Sequence, residues 1–268
     1  MCEDALRKAH KLRHRFLFPS EEEKRDFLAV KDARILDLGD TIFFLEPSET
    51  APTEIRFATD SIERLFEAFA RLKKFVGEGK RFVISLAEDE TTKGAIAAVR
   101  GSLLAAGMEE REEHIGYRAK RLPSFPSEPS SAIGEIAEGE TEKVYALALY
   151  LLDRAKFAMS LEGFRRFLSA EGNVCLVWRE KDVKGFVLGR LYNDGESLFI
   201  RGLGVDGPYQ GLGIGRALMQ GVFVWAKKRG AKDSMLWVEK ENVRARRLYE
   251  RFGHVPYGDR EATFVWRT

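Results

Sequence analysis

Three glycines at alternate positions, Gly211, Gly213 and Gly215 in "QGLGIG", lie between a strand-like apolar run and a helix-like one. That placement suits an anion. At the carboxyl end of a strand, the first turn of the next helix points free N–H groups outward. Glycines there let a phosphate reach the backbone and meet the positive end of the helix dipole. A second set follows in "ENVRARRLYERFGHV", where Asn242, Ala245 and Tyr249 are three and four residues apart and therefore share one helix face. Each also has an ordinary role: Asn242 as an N-cap, Ala245 as a helix former, Tyr249 as a core aromatic.

The pattern narrows the choice of anion. "GLGVDG", Gly202 to Gly207, matches the literal GxGxxG of dinucleotide folds, but its first glycines fall inside a strand and Pro208 follows before any helix. A phosphate loop that hydrolyses ATP needs Gly-Lys-Ser/Thr at the helix start. Here the chain reads Gly215-Arg216-Ala217, with no hydroxyl for magnesium.

The elements that would position these residues follow from apolar spacing and breakers. A short strand near Ile133 to Ala137 precedes helices around Glu140 to Arg154 and Leu161 to Ala170. Strands Val174 to Arg179, Gly185 to Tyr192 and Ser197 to Val205, joined by "EKD" and "NDG", read as an antiparallel meander. The helix after the glycine loop carries Ile214, Leu218, Val222 and Trp225 on one face and ends at Gly230. A strand Met235 to Glu239, a helix Val243 to Phe252 and a strand Thr263 to Arg267 complete the half. The strand–helix–strand unit implies a right-handed crossover and a parallel pair in a mixed sheet.

The segment Gln210 to Gly215 resembles the (Gln/Arg)-x-x-Gly-x-(Gly/Ala) signature of the GNAT superfamily of N-acetyltransferases, and the Asn242, Ala245, Tyr249 helix resembles that family's other coenzyme segment. The resemblance covers about Ala132 to Thr268 and is densest from Leu203 to Gly253. His254 departs from it, standing where the family commonly has Phe. The resemblance implies acetyl-CoA as cosubstrate, no metal, and direct transfer to an amine, either a small molecule or a peptide N-terminus or lysine. It implies that backbone at Leu203 and Val205 pairs with the pantetheine arm. Gln210, Gly211, Gly213, Gly215 and Arg216 would hold the pyrophosphate, Asn242 and Ala245 would contact the coenzyme, and Tyr249 would be the general acid. Gly202 and Gly204 favour a bulge that splays the strand from its parallel neighbour. No acid stands in Ser197 to Val205, so the general base is open among Glu239, Glu196, His254 and a water chain. Arg201, read with the same parity as Leu203 and Val205, is expected to pair with a neighbouring acid rather than clamp a substrate carboxylate. The competing account is a non-catalytic acyl-CoA sensor or scaffold, which need not keep Tyr249.

Upstream of "LPSFPSEPSS", an expected linker at 123–131, the order of elements repeats. Helices around Asp4 to Arg15 and Glu21 to Val30, the latter with a capping box at Ser20 and Glu23, lead to strands Ala33 to Leu38, Thr41 to Glu46 and Thr53 to Ala58. A helix Ile62 to Val76, a strand Arg81 to Leu86, a helix Thr92 to Ala106 and a strand His114 to Arg121 follow. Aligning Gly107 with Gly253 sets Ile96, Val99 and Leu103 opposite Asn242, Ala245 and Tyr249, and "FATDSI" replaces the glycine loop. The expectation is an α/β chain of two GNAT-like domains, each a mixed, mostly antiparallel sheet flanked by helices. Residues 1–122 would be a degenerate copy and 132–268 the coenzyme-binding one.

Composition agrees. With 44 Lys+Arg against 42 Asp+Glu the net charge is +2, which argues against nucleic acid as a partner. Cys2 and Cys175 form neither a disulfide framework nor a zinc-ligand spacing. No run reads as a signal peptide or membrane span, so the expectation is a cytoplasmic monomer or homodimer without membrane contact.

Overall fold

The computed structural model describes residues 2–17, 24, 27–29, 33–46, 52–89, 91–126, 128–152 and 160–268. It is an α/β chain of two compact units, Met1–His114 with Gly258–Thr268, and Ile115–Tyr257. The sequence places the division at 123–131 and assigns everything beyond to the second domain. The structure differs on both counts. Residues from Ile115 on already belong to the second unit, and Gly258–Thr268 belong to the first. The proline-rich segment is irregular, as expected, but it lies within the second unit: Phe125 packs on Phe223 and Phe252, and Lys227 Nζ donates to Ser124 Oγ at 2.7 Å.

In the first unit the sheet order is β2 (Arg34–Asp37), β3 (Thr41–Glu46), β4 (Thr53–Thr59), β5 (Arg81–Glu88), β12 (Val255–Arg267). β2, β3 and β4 form an antiparallel meander, and β4 and β5 are parallel at Thr53↔Phe82 and Glu54↔Val83. β12 then runs antiparallel to β5 from Arg260↔Glu88 to Arg267↔Arg81. β3 alternates Phe43 and Leu45 toward helices Leu65–Val76 and Ala95–Ala105, and Ile42 and Phe44 toward the amino-terminal helix Cys2–Ala9. Both faces of this strand are therefore buried.

The expected helix from Asp4 to Arg15 is shorter. It ends at Ala9, and His14–Phe16 form a strand, β1, antiparallel to β4 at His14↔Thr59, Arg15↔Ala58 and Phe16↔Phe57. The alternation ends in a buried Phe16, but its period-2 signal was masked by basic residues. Most of the expected helix Glu21 to Val30, with its capping box, lies outside the described residues; Lys24 and Phe27 to Ala29 are helical.

The second unit has the order β6 (Glu109–Ala119), β11 (Asp233–Glu239), β10 (Ser197–Val205), β9 (Asp182–Tyr192), β8 (Asn173–Glu180), β7 (Ile133–Glu135). Helices Ile214–Lys227 and Val243–Glu250 cover one face through Leu218, Val222 and Tyr249. Helices Thr141–Leu151 and Leu161–Ser169 cover the other through Val144, Ala148 and Phe164. Among the described residues no helix is long and apolar enough to cross a membrane.

Candidate active site

The site grows from one interrupted pairing. β10 and β11 are parallel from Ser197↔Asp233 to Ile200↔Leu236, and there the register ends, although β10 continues to Val205 and β11 to Glu239. The cause lies on the other side of β10. Its register with β9 steps from Ile200↔Gly189 to Gly202↔Leu188, leaving Arg201 as an extra residue. Such a bulge sharpens the local twist and turns the strand away from its neighbour.

The bulge also corrects a parity. Leu198 and Ile200 share a core face with Leu203 and Val205, so Arg201 does not point with Leu203 and Val205. Its guanidinium lies 5.8 Å from the Phe167 ring centre on the opposite face. Gly202 and Gly204 are closely packed there: a Cβ on Gly202 would stand 2.8 Å from Leu152 Cδ1, and one on Gly204 2.6 Å from Phe186 Cε1.

Backbone alternation fixes what the open edge offers. The Asp206 N–H donates to the Lys184 carbonyl at 2.9 Å, continuing the β9 ladder. Two residues back, Gly204 therefore also faces β9, and Leu203 and Val205 turn their N–H and C=O groups to the opened side. The Val205 carbonyl accepts there from Gln210 Nε2 at 2.9 Å.

Beyond β10 the chain makes a short turn at Gly207–Tyr209, and Gly211 and Gly213 follow at φ 87° and 84°, a left-handed backbone that side chains disfavour. Gly213 is the N-cap of the Ile214–Lys227 helix, so the free N–H groups of its first turn rise beside the open edge. Gly215 lies inside the helix, where a Cβ would make ordinary contacts with Leu248, Val205 and Leu203. Arg216 is exposed.

The second helix forms the other wall. Asn242 takes its capping role: Oδ1 accepts from the Ala245 N–H at 3.0 Å. Ala245 is half-buried, and Tyr249 is buried, with burial pushing its phenol up to about 12. The hydroxyl therefore stays protonated at any physiological pH, as a donor must, although it is a weaker acid than a free tyrosine.

Two of the three named candidates for the base are otherwise engaged. Glu196 pairs with Lys232. His254 is fully buried with Nε2 2.9 Å from Ser234 Oγ, and burial drives it down to about 4. Glu239 closes β11, half-buried. One residue escaped the sequence reading. Arg244 Nη1 donates to Gln210 Oε1 at 2.7 Å, joining the second helix to the glycine loop. Its only sequence signal was a basic residue between Asn242 and Ala245.

Comparison with known proteins agrees with this architecture. Residues 140–254 match the model of the Acetyltransferase (GNAT) family. A mycothiol acetyltransferase from Beutenbergia cavernae is 48% identical over 54 residues, which is 20% of this chain and only 18% of that protein's length. A GCN5-related N-acetyltransferase from Sphaerobacter thermophilus superposes over 92% of this chain and 85% of its own, with TM-score 0.61 at 16% identity. A tandem GNAT protein from the clavulanic acid biosynthesis pathway superposes over 89% of this chain and 84% of its own, with TM-score 0.56 at 10% identity. At these identities the superpositions speak for the fold, across both units. Over residues 140–254, then, the chain is similar to the GNAT acetyltransferases.

Proposed function

We propose that the second unit binds acetyl-CoA between β10 and β11 and transfers its acetyl group to an amine. The observation that carries this reading is the end of the parallel register at Ile200↔Leu236, which leaves the Leu203 and Val205 edge open beside the Gly211–Gly213 turn. An extended arm adds to such an edge as a peptide adds to a sheet. The residues present fit the coenzyme: edge amides for the pantetheine, a helix amino end and Arg216 for the phosphates, and half-buried Ala245 for close approach.

In the transfer the amine nitrogen attacks the thioester carbonyl, the C–N bond forms and the C–S bond breaks. Tyr249 supplies the proton that the departing thiolate takes, and the proton shed by the amine leaves through solvent. The first unit takes no coenzyme in this reading, because Ile96, Val99 and Leu103 are buried in its core. Calorimetry on the full chain should give one acetyl-CoA per molecule. A count of two would make both units active, and a count of zero would remove the coenzyme assignment. A screen of amines, read by acetyl-CoA consumption, then separates an enzyme from a binding module.

A further inference from the structure

Resting on the coenzyme reading, we infer that Arg244 binds a phosphate of the coenzyme and that its bond to Gln210 is the resting form of that contact. Three residues form a chain across the opened edge. Gln210 Nε2 holds the Val205 carbonyl at 2.9 Å, and Arg244 Nη1 holds Gln210 Oε1 at 2.7 Å. Val205 belongs to β10 and Arg244 to the helix after β11, so the Gln210 amide spans the two walls of the slot.

An arm that pairs with β10 uses the Val205 carbonyl from the opened side, the side the Gln210 amide occupies, and takes its place there. Displacement frees Arg244 at the same moment, one residue before Ala245 and beside the glycine loop. A guanidinium presents a planar fork of donors that matches a phosphate better than a neutral amide. Nothing else claims the charge: Arg244 is exposed and, among the described residues, forms no ion pair. Arg246, two positions on, is already committed to the Tyr117 hydroxyl and the Lys240 carbonyl at 3.0 Å each. The exchange therefore couples opening of the edge to capture of the phosphate.

The test is calorimetry on the full chain with acetyl-CoA, its 3′-dephospho form and acetyl-pantetheine, comparing wild type with Arg244→Gln. The variant should keep its melting temperature, since the side chain is exposed. Its Kd for acetyl-CoA should rise roughly 10- to 30-fold, a range consistent with losing one charge-assisted contact, while acetyl-pantetheine binds both proteins alike. A loss shared by the dephospho form places the contact at the pyrophosphate, and a loss confined to acetyl-CoA places it at the 3′-phosphate; either supports the inference. Salt should weaken wild type more steeply than the variant. Equal affinity of variant and wild type for acetyl-CoA, or an equal loss with acetyl-pantetheine, overturns the role of Arg244. Absence of acetyl-CoA binding by the wild type overturns the coenzyme reading and this inference with it.

Discussion

The two units contain the same slot in two conditions. In the second, β10 leaves β11 after Ile200, and the Gln210 amide holds the Val205 carbonyl on its far edge. In the first, β4 leaves β5 after Glu54, and the vacated edge at Phe57 to Thr59 is filled by β1, a strand from the same chain. β1 is fixed by more than its ladder, because Phe16 is buried against Phe57 with ring centres 5.0 Å apart. The anion positions differ in the same sense. Where the second unit has glycines and arginines, the first has Asp60, whose carboxylate accepts from the Arg13 N–H at 2.8 Å. Glu88 accepts from the Gly94 and Ile96 N–H groups at 3.1 and 3.0 Å and so supplies its own anion to the helix Ala95–Ala105. The backbone groups that the second unit leaves open at this edge are, in the first, partnered by the chain itself.

The largest test of this comparison is deletion of Gly258–Thr268. If the first unit needs β12 as its last strand, amide protection across β4 and β5 should vanish in hydrogen exchange, and retained protection would show that the strand is dispensable. Next come the paired positions Leu103 and Tyr249. Leu103→Ala should lower stability by about 2–5 kcal/mol, as for other buried leucines, with kcat per folded molecule unchanged. Tyr249→Phe should keep coenzyme affinity and lower kcat about 100-fold, the smaller end of general acid contributions. Similar consequences for the two variants would erase the distinction between a core position and a reacting one.

A subtler contrast concerns Met108 and His254, which follow the two aligned glycines. Both are buried, but only His254 titrates. Its folded value of about 4 lies below the unfolded one near 6.5, so the unfolded chain takes up a proton that the folded chain refuses. Stability is complete above about pH 6.5 and falls as pH drops toward 4, by up to about 3 kcal/mol. Denaturant melts from pH 7 to 4 should show the second unit failing first, and His254→Phe should flatten that limb. An unchanged slope in the variant would assign the acid sensitivity elsewhere.

Strongly periodic elements were legible in the sequence. Ser197–Val205 and Thr41–Glu46 match the expected strands, and the buried stripe Ile214, Leu218, Val222 and Trp225 is the expected one. The segments that escaped carry their pattern in charge. β6 begins at Glu109, ahead of the expected His114, and its first residues are acids and an arginine, of which Glu110 and Glu113 find Arg100 and Arg260 only in the fold. β12 starts at Val255, eight residues before the expected Thr263, through a stretch broken by Pro256 and Gly258. The glycine loop was visible because its residues are special in themselves. Arg244 was not, since an arginine on a helix is ordinary until its partner is known. The bulge at Arg201 was expected from glycines, yet its effect on parity needed the register.

Completion of the first unit by β12 also bears on how the chain folds. Thr268 bonds to Lys80 and Gly77 across separations of 188 and 191 residues, so this sheet closes through one of the longest loops the chain can make. Closure entropy for a flexible loop of that size is about 4–5 kcal/mol by the logarithmic law, before any contact offsets it. Pairings of such sequence separation form late. During synthesis β5, with "FVISL" at its centre, leaves the ribosome long before its partner is made, and its unpaired apolar edge is the kind that chaperones cover and that other chains join.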